Sequence, residues 1–177
     1  MRLRLTAYAM LGIALVGTPS LSRAGSTGGD GTIESFRRQA WWLPRYPLLA
    51  SKLEGLPGRT WGFALNRPDP EEQGSMKLSR DGDRSMLVLS QYKQQAIDPR
   101  TEQPIPGLLI DVVMKIRDTN LDGTPDEFRG EPFHPVPGET VLANGFIKIR
   151  DHADHAAILT QWDTVVGLAM KALIEGQ

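Results

Sequence analysis

An unbroken apolar run from Leu5 to Gly17 follows Arg2 and Arg4 and gives way to Pro19 and a small-residue site at Ser22, Arg23 and Ala24. That order is the three-part plan of a secretory signal peptide, with cleavage expected after Ala24. The run is well short of the roughly 20 apolar residues that a bilayer-spanning helix needs. Gly25 to Gly31 has almost no apolar content and reads as a flexible leader. Residues 1–24 are thus expected to be the signal peptide, 25–31 the leader and 32–177 one domain.

Within that domain the apolar period changes from helical to strand-like and back. Thr32 is placed to cap a short helix through Gln39 and Ala40, with Ile33, Phe36 and Ala40 on one face. A second short helix, Leu48 to Glu54, follows Pro47 and ends at Gly55 and Pro57. From Arg59 to Asn66, Trp61, Phe63 and Leu65 alternate with small or polar residues, which predicts a strand. Met76 to Arg80 and Arg84 to Gln91 flank Asp81-Gly82, a dipeptide suited to a two-residue type I′ hairpin that would set Arg80 opposite Asp83. Leu108 to Arg117 alternates cleanly, with Leu108, Ile110, Val112, Met114 and Ile116 on one face. Glu127 to Phe133 returns, and Thr140 to Arg150 is a last strand. From His152 to Ile174, Ile158, Trp162, Val165, Ala169 and Leu173 recur at helical spacing, with Asp151 as cap and Gly176 as stop. The expected fold is α+β: an antiparallel sheet of about five or six strands, short N-terminal helices, and a long C-terminal helix packed on one face.

Composition fits a core that needs no staple. The chain has no cysteine, and the 153 residues left after cleavage are enough for one core. Loss of Arg2, Arg4 and Arg23 leaves 17 basic against 21 acidic residues, a net charge of −4 without basic runs. That balance argues against nucleic acid or an anionic membrane as partner. It leaves a protein or a small molecule, with no stable membrane insertion after cleavage and a secreted or periplasmic location.

The candidate chemistry concentrates in Asp118-Thr-Asn120-Leu-Asp122-Gly123-Thr-Pro-Asp126-Glu127. Oxygen donors at alternate positions followed by a turn glycine suit a hard cation such as Ca²⁺. The stretch resembles the DxDxDG calcium loop of EF-hand-like and related extracellular repeats, over this loop alone. The resemblance implies that Asp118, Asn120 and Asp122 are the first three ligands, that Thr124 offers its main-chain carbonyl, and that Asp126 acts through water. It also marks a departure: Arg129 stands where that pattern has a bidentate glutamate, and Glu127 lies two residues early. Strands flank the loop, so a cation here would pin a hairpin. The same residues would otherwise make an ordinary Asx-rich turn.

Other constellations are sparser. His152 and His155 sit three residues apart, and His134 could add a third nitrogen for Zn²⁺; otherwise they belong to an acidic first helical turn. Ser90 and Lys93 have the Ser-x-x-Lys spacing of some acyl-enzyme hydrolases, without the companion motifs. Asp111, Asp126 and Glu127 are carboxylates that could pair for acid/base work. Ala40-Trp41-Trp42-Leu43-Pro44-Arg45-Tyr46-Pro47 either plugs one end of the sheet or offers an aromatic binding surface. Two readings follow. The first is an exported, non-catalytic binding or accessory domain of the cell envelope with a weak structural Ca²⁺ loop. The alternative is a small secreted or periplasmic hydrolase using carboxylates or a histidine-held metal.

Overall fold

A computed structural model describes residues 29–65, 73–98, 100–131 and 139–176. The signal peptide, residues 25–28 of the leader and His134 lie outside the described residues. Helix α1 (Gly29–Gln39) starts three residues before the expected cap at Thr32, and α2 (Tyr46–Glu54) opens with Pro47 in its first turn. Proline is well placed there, where no intrahelical N–H bond is lost. Six strands follow: β1 (Thr60–Leu65), β2 (Gly74–Arg80), β3 (Met86–Ile97), β4 (Pro104–Asp118), β5 (Glu127–Glu131) and β6 (Ile147–Lys148). The chain closes on α3 (His155–Met170), prolonged by a wider π turn over Lys171–Glu175 and stopped at Gly176 with φ of 72°. The α+β arrangement is as expected.

The sheet is a meander: its six strands lie side by side in chain order, all antiparallel. Alternation gives it one helix-covered face. Met76 and Leu78 of β2, Met86 and Val88 of β3, and Met114 and Ile116 of β4 are buried there. Ile158, Trp162, Val165, Val166 and Ala169 of α3 join them in one core with Trp42, Leu49 and Leu53. That packing explains why His155–Glu175 is apolar enough, at a mean hydropathy of 1.2 over 18 residues, to cross a membrane while 50% of the window is buried in the protein.

Three expectations need correcting. The β2–β3 connection is not a two-residue type I′ turn, because Arg80 pairs in register with Met86 and five residues intervene. Only Gly82 of the loop has positive φ, whereas type I′ needs two such residues in succession. Asp81 N–H instead bonds Ser85 O at 3.0 Å, and Arg80 Nη2 reaches Asp83 O at 2.6 Å within the loop. The expected strand from Thr140 to Arg150 shrinks to a Val141–Ile147 bridge and the two residues of β6. Asn144-Gly145 breaks it: Gly145 has φ of 77°, and Asn144 Oδ1 accepts Phe146 N–H at 3.1 Å, closing a tight turn. Finally, α3 begins at His155 and not at His152. Asp151 ends a short 3₁₀ turn, Asp154 holds the N-cap position without a side-chain bond, and its N–H donates to His152 Nδ1 at 3.0 Å.

Candidate functional site: the Asp118–Asp126 loop

The loop joins β4 to β5, and alternation along β4 aims Asp118 at the covered face, where it is fully buried. Its carboxylate organises the turn. Oδ1 accepts the N–H groups of Asn120 at 3.1 Å and Leu121 at 2.8 Å, and Oδ2 accepts that of Gly123 at 2.8 Å. The pattern then repeats one step on: Asn120 Oδ1 accepts Asp122 N–H at 3.0 Å, and Asp122 Oδ1 accepts Thr124 N–H at 2.7 Å. Asn120 Nδ2 stands 3.3 Å from Asp122 Oδ2, and Asp126 Oδ2 accepts from both Thr119 N–H, at 2.8 Å, and Thr119 Oγ1, at 2.7 Å. Short Asx side chains can bond their own backbone in this way, which is why these positions fold as a turn.

The loop is seated on aromatic rings. Trp162 Nε1, in α3, donates to Gly123 O at 2.9 Å, and the indole is fully buried. Gly123 has φ of 89°, and a Cβ there would push the end of the Leu43 side chain aside and press on Trp42 at 3.3 Å. The backbone sign therefore favours glycine, and the close approach of Trp42 adds to it. Trp42 and Tyr46 are buried with ring centroids 5.5 Å apart, so most of the aromatic segment plugs the core, while Trp41 is 50% exposed under Lys171. Trp42 Nε1 also bonds Asp163 Oδ1.

Burial sets the electrostatics. Loss of solvent pushes the Asp118 carboxyl up from its ordinary value, and the Gly123 N–H, the Tyr46 hydroxyl and the Asn120 N–H pull it partly back. Burial, with the Asp118 charge beside it, holds the Tyr46 phenol protonated well above its usual range. Asp163 is likewise raised by burial and partly restored by Trp42. On the solvent side Arg37 Nη2 of α1 lies 3.7 Å from Asp122 Oδ2. No residue pattern in the sequence announced this Arg37 contact, nor the Trp162 bond, because both cross between distant elements.

Arg129 does not approach the loop. It follows Phe128 on β5 and points to the opposite face, with Nε 3.2 Å from Glu131 Oε1. The expected ligands thus divide: Asp118, Asn120, Asp122 and Thr124 lie in one compact turn, Thr124 donating its N–H to Asp122 Oδ1, and Asp126 turns back on Thr119. Among the described residues no three His, Cys, Asp or Glu side chains are grouped to hold a metal ion.

The chain matches no family model, no curated protein and no solved structure.

The remaining candidates are dispersed. Ser90 is buried and accepts Gln161 Nε2 at 2.7 Å, whereas Lys93 is exposed on the other face of β3. Three residues along a strand put the two on opposite faces, so no Ser–Lys dyad forms. His152 Nε2 lies 3.5 Å from Glu139 Oε1 with its ring edge-on to Phe128, while His155 Nδ1 faces His152 O at 3.0 Å. Glu127 is tied to Arg117. Asp111 stands seven residues up β4 from Asp118, roughly 23 Å away, so Asp111, Asp126 and Glu127 do not converge.

Proposed function

We propose that this chain is an exported, non-catalytic binding or accessory domain of the cell envelope, and that its Asp118–Asp126 loop is a weak structural Ca²⁺ site. One observation carries the calcium reading. The successive Asp118, Asn120 and Asp122 side chains each bond the main chain ahead of them, which curls the loop around its own oxygen atoms. These are hard donors suited to Ca²⁺. With Arg129 turned away, water must complete the shell. Affinity on the order of 10⁻⁴ to 10⁻³ M, that of weak extracellular modules, is the matching expectation. The cation would displace Arg37 from Asp122 and relieve the repulsion between carboxylates. The non-catalytic reading is supported by the dispersal of Ser90, Lys93, His152 and the carboxylates.

Thermal melts test the loop. Ca²⁺ at ten times Kd should stabilise the fold by roughly 1.4 kcal/mol, raising the midpoint by a few degrees, and Asp122→Ala should abolish the rise. Superimposable melts in millimolar Ca²⁺ and in chelator would sink the calcium reading. Export is tested by amino-terminal sequencing of protein from the envelope fraction. The expected start is Gly25-Ser-Thr, and a full-length cytoplasmic product contradicts export.

A further inference from the structure

The sheet's second face assembles charges that are scattered in sequence. Alternation puts Lys77, Lys93, Lys115 and Arg129 opposite the helix-covered side, and no described helix lies over them. The register sets Lys77, Leu89, Lys115 and Arg129 in one row across β2 to β5. Lys115 and Arg129 are therefore direct cross-strand neighbours, and like charges so placed destabilise a sheet. Glu131 reaches both, 3.7 Å from Lys115 Nζ and 3.2 Å from Arg129 Nε. Lys77, whose stem lies against Gly62, and Lys93 are exposed. Across β2 to β5 this face carries Lys77, Lys93, Lys115, Arg117 and Arg129 against Asp111, Glu127 and Glu131, two more cations than carboxylates, on a chain whose formal net charge is −1. Half-buried Leu89 and Val113 lie among the cations.

We infer that this face, over which no described helix lies, docks an acidic partner protein whose carboxylates pair with Lys77, Lys93, Lys115 and Arg129 and whose apolar side chains cover Leu89 and Val113. The inference rests on the binding-domain reading and on neither export nor calcium. Charge selects the occupant. A second copy stacked face to face would set cations against cations. A polyphosphate or nucleic-acid strand, with its dense and uniform negative charge, would meet Asp111 and Glu131 inside the patch. A protein surface can satisfy both signs and the apolar centre together. Six strands about 4.8 Å apart give a face roughly 24 Å across, which fits a small, transient interface.

The test is an NMR titration with a random copolymer of glutamate and tyrosine as probe, chelator being present throughout so that the loop's behaviour does not enter. Amide shifts should concentrate on β2 to β5 at the open-face positions. The exposed pair Lys77→Glu with Lys93→Glu should weaken binding about tenfold or more, with an unchanged circular dichroism spectrum showing that the fold stands. Absence of binding, or binding indifferent to the charge reversal, overturns the inference. Equal binding of heparin or of vesicles containing phosphatidylglycerol also overturns it, since the face would then be a general polyanion surface. Shifts confined to other elements refute this face while leaving the binding-domain reading intact.

Discussion

Trp162→Ala is expected to destabilise the fold by about 3–5 kcal/mol, the range for a large aromatic removed from a core. The indole is fully buried, packs with its centroid 6.4 Å from Tyr46, and supplies the bond to Gly123 O that seats the loop. Truncation leaves a cavity and an unpaired buried carbonyl together. Trp162→Phe separates the two losses, since it keeps most of the volume and strands only the carbonyl, at a cost of about 1–3 kcal/mol. Urea unfolding of the three proteins reads both numbers. A loss below about 1 kcal/mol for the alanine variant would contradict the packing described.

Asp118→Ala should cost about 3 kcal/mol or more, because three main-chain N–H groups lose their acceptor in a buried turn. Asp118→Asn adds a pH signature. Burial raises the folded-state pKa of Asp118 above the ordinary 3.8, so the folded protein holds the proton more tightly than the unfolded chain. Stability from this group is then greatest below the unfolded value and declines as pH rises through the window up to the raised folded value. Asparagine has no such proton. The wild-type advantage over Asp118→Asn should therefore narrow as pH rises from about 4 through that window. An advantage that widens would mean that the N–H bonds outweigh burial, reversing the sign argued here.

The elements that sequence made legible are those whose period is long and clean. Leu108 to Arg117 alternates over ten residues and forms the body of β4; Ile158, Trp162, Val165 and Ala169 step along α3 and are buried in it. The signals that the period hides are shorter and chemical. Asn144-Gly145 is a turn signal set among apolar residues, so alternation there predicts a longer strand than the β6 that forms. At Asp81-Gly82 the sequence marks the turn but not its length, because Asp81 and Asp83 answer to Arg117 on β4 and to Arg59 just before β1. The loop residues Asp118 to Asp126 declared themselves through spacing alone. The aromatic seat beneath them did not, since Trp42, Tyr46 and Trp162 meet only when both ends of the chain fold onto the sheet.

The meander gives folding an order. Each strand pairs with its chain neighbour, so the sheet can grow by successive hairpins whose ends are close in sequence and whose loop closure is cheap. The cover cannot. Trp42 bonds Asp163 across 121 residues and Arg45 meets Glu175 across 130, so the N-terminal helices find their partners only when the final helix exists. A chain made from its amino terminus thus carries a nearly complete sheet with its apolar face bare until α3 emerges. In that interval Met76, Leu78, Val88 and Ile116 have no roof. Truncation before Trp162 would make the interval permanent, leaving a sticky sheet fragment where the whole chain gives a closed domain.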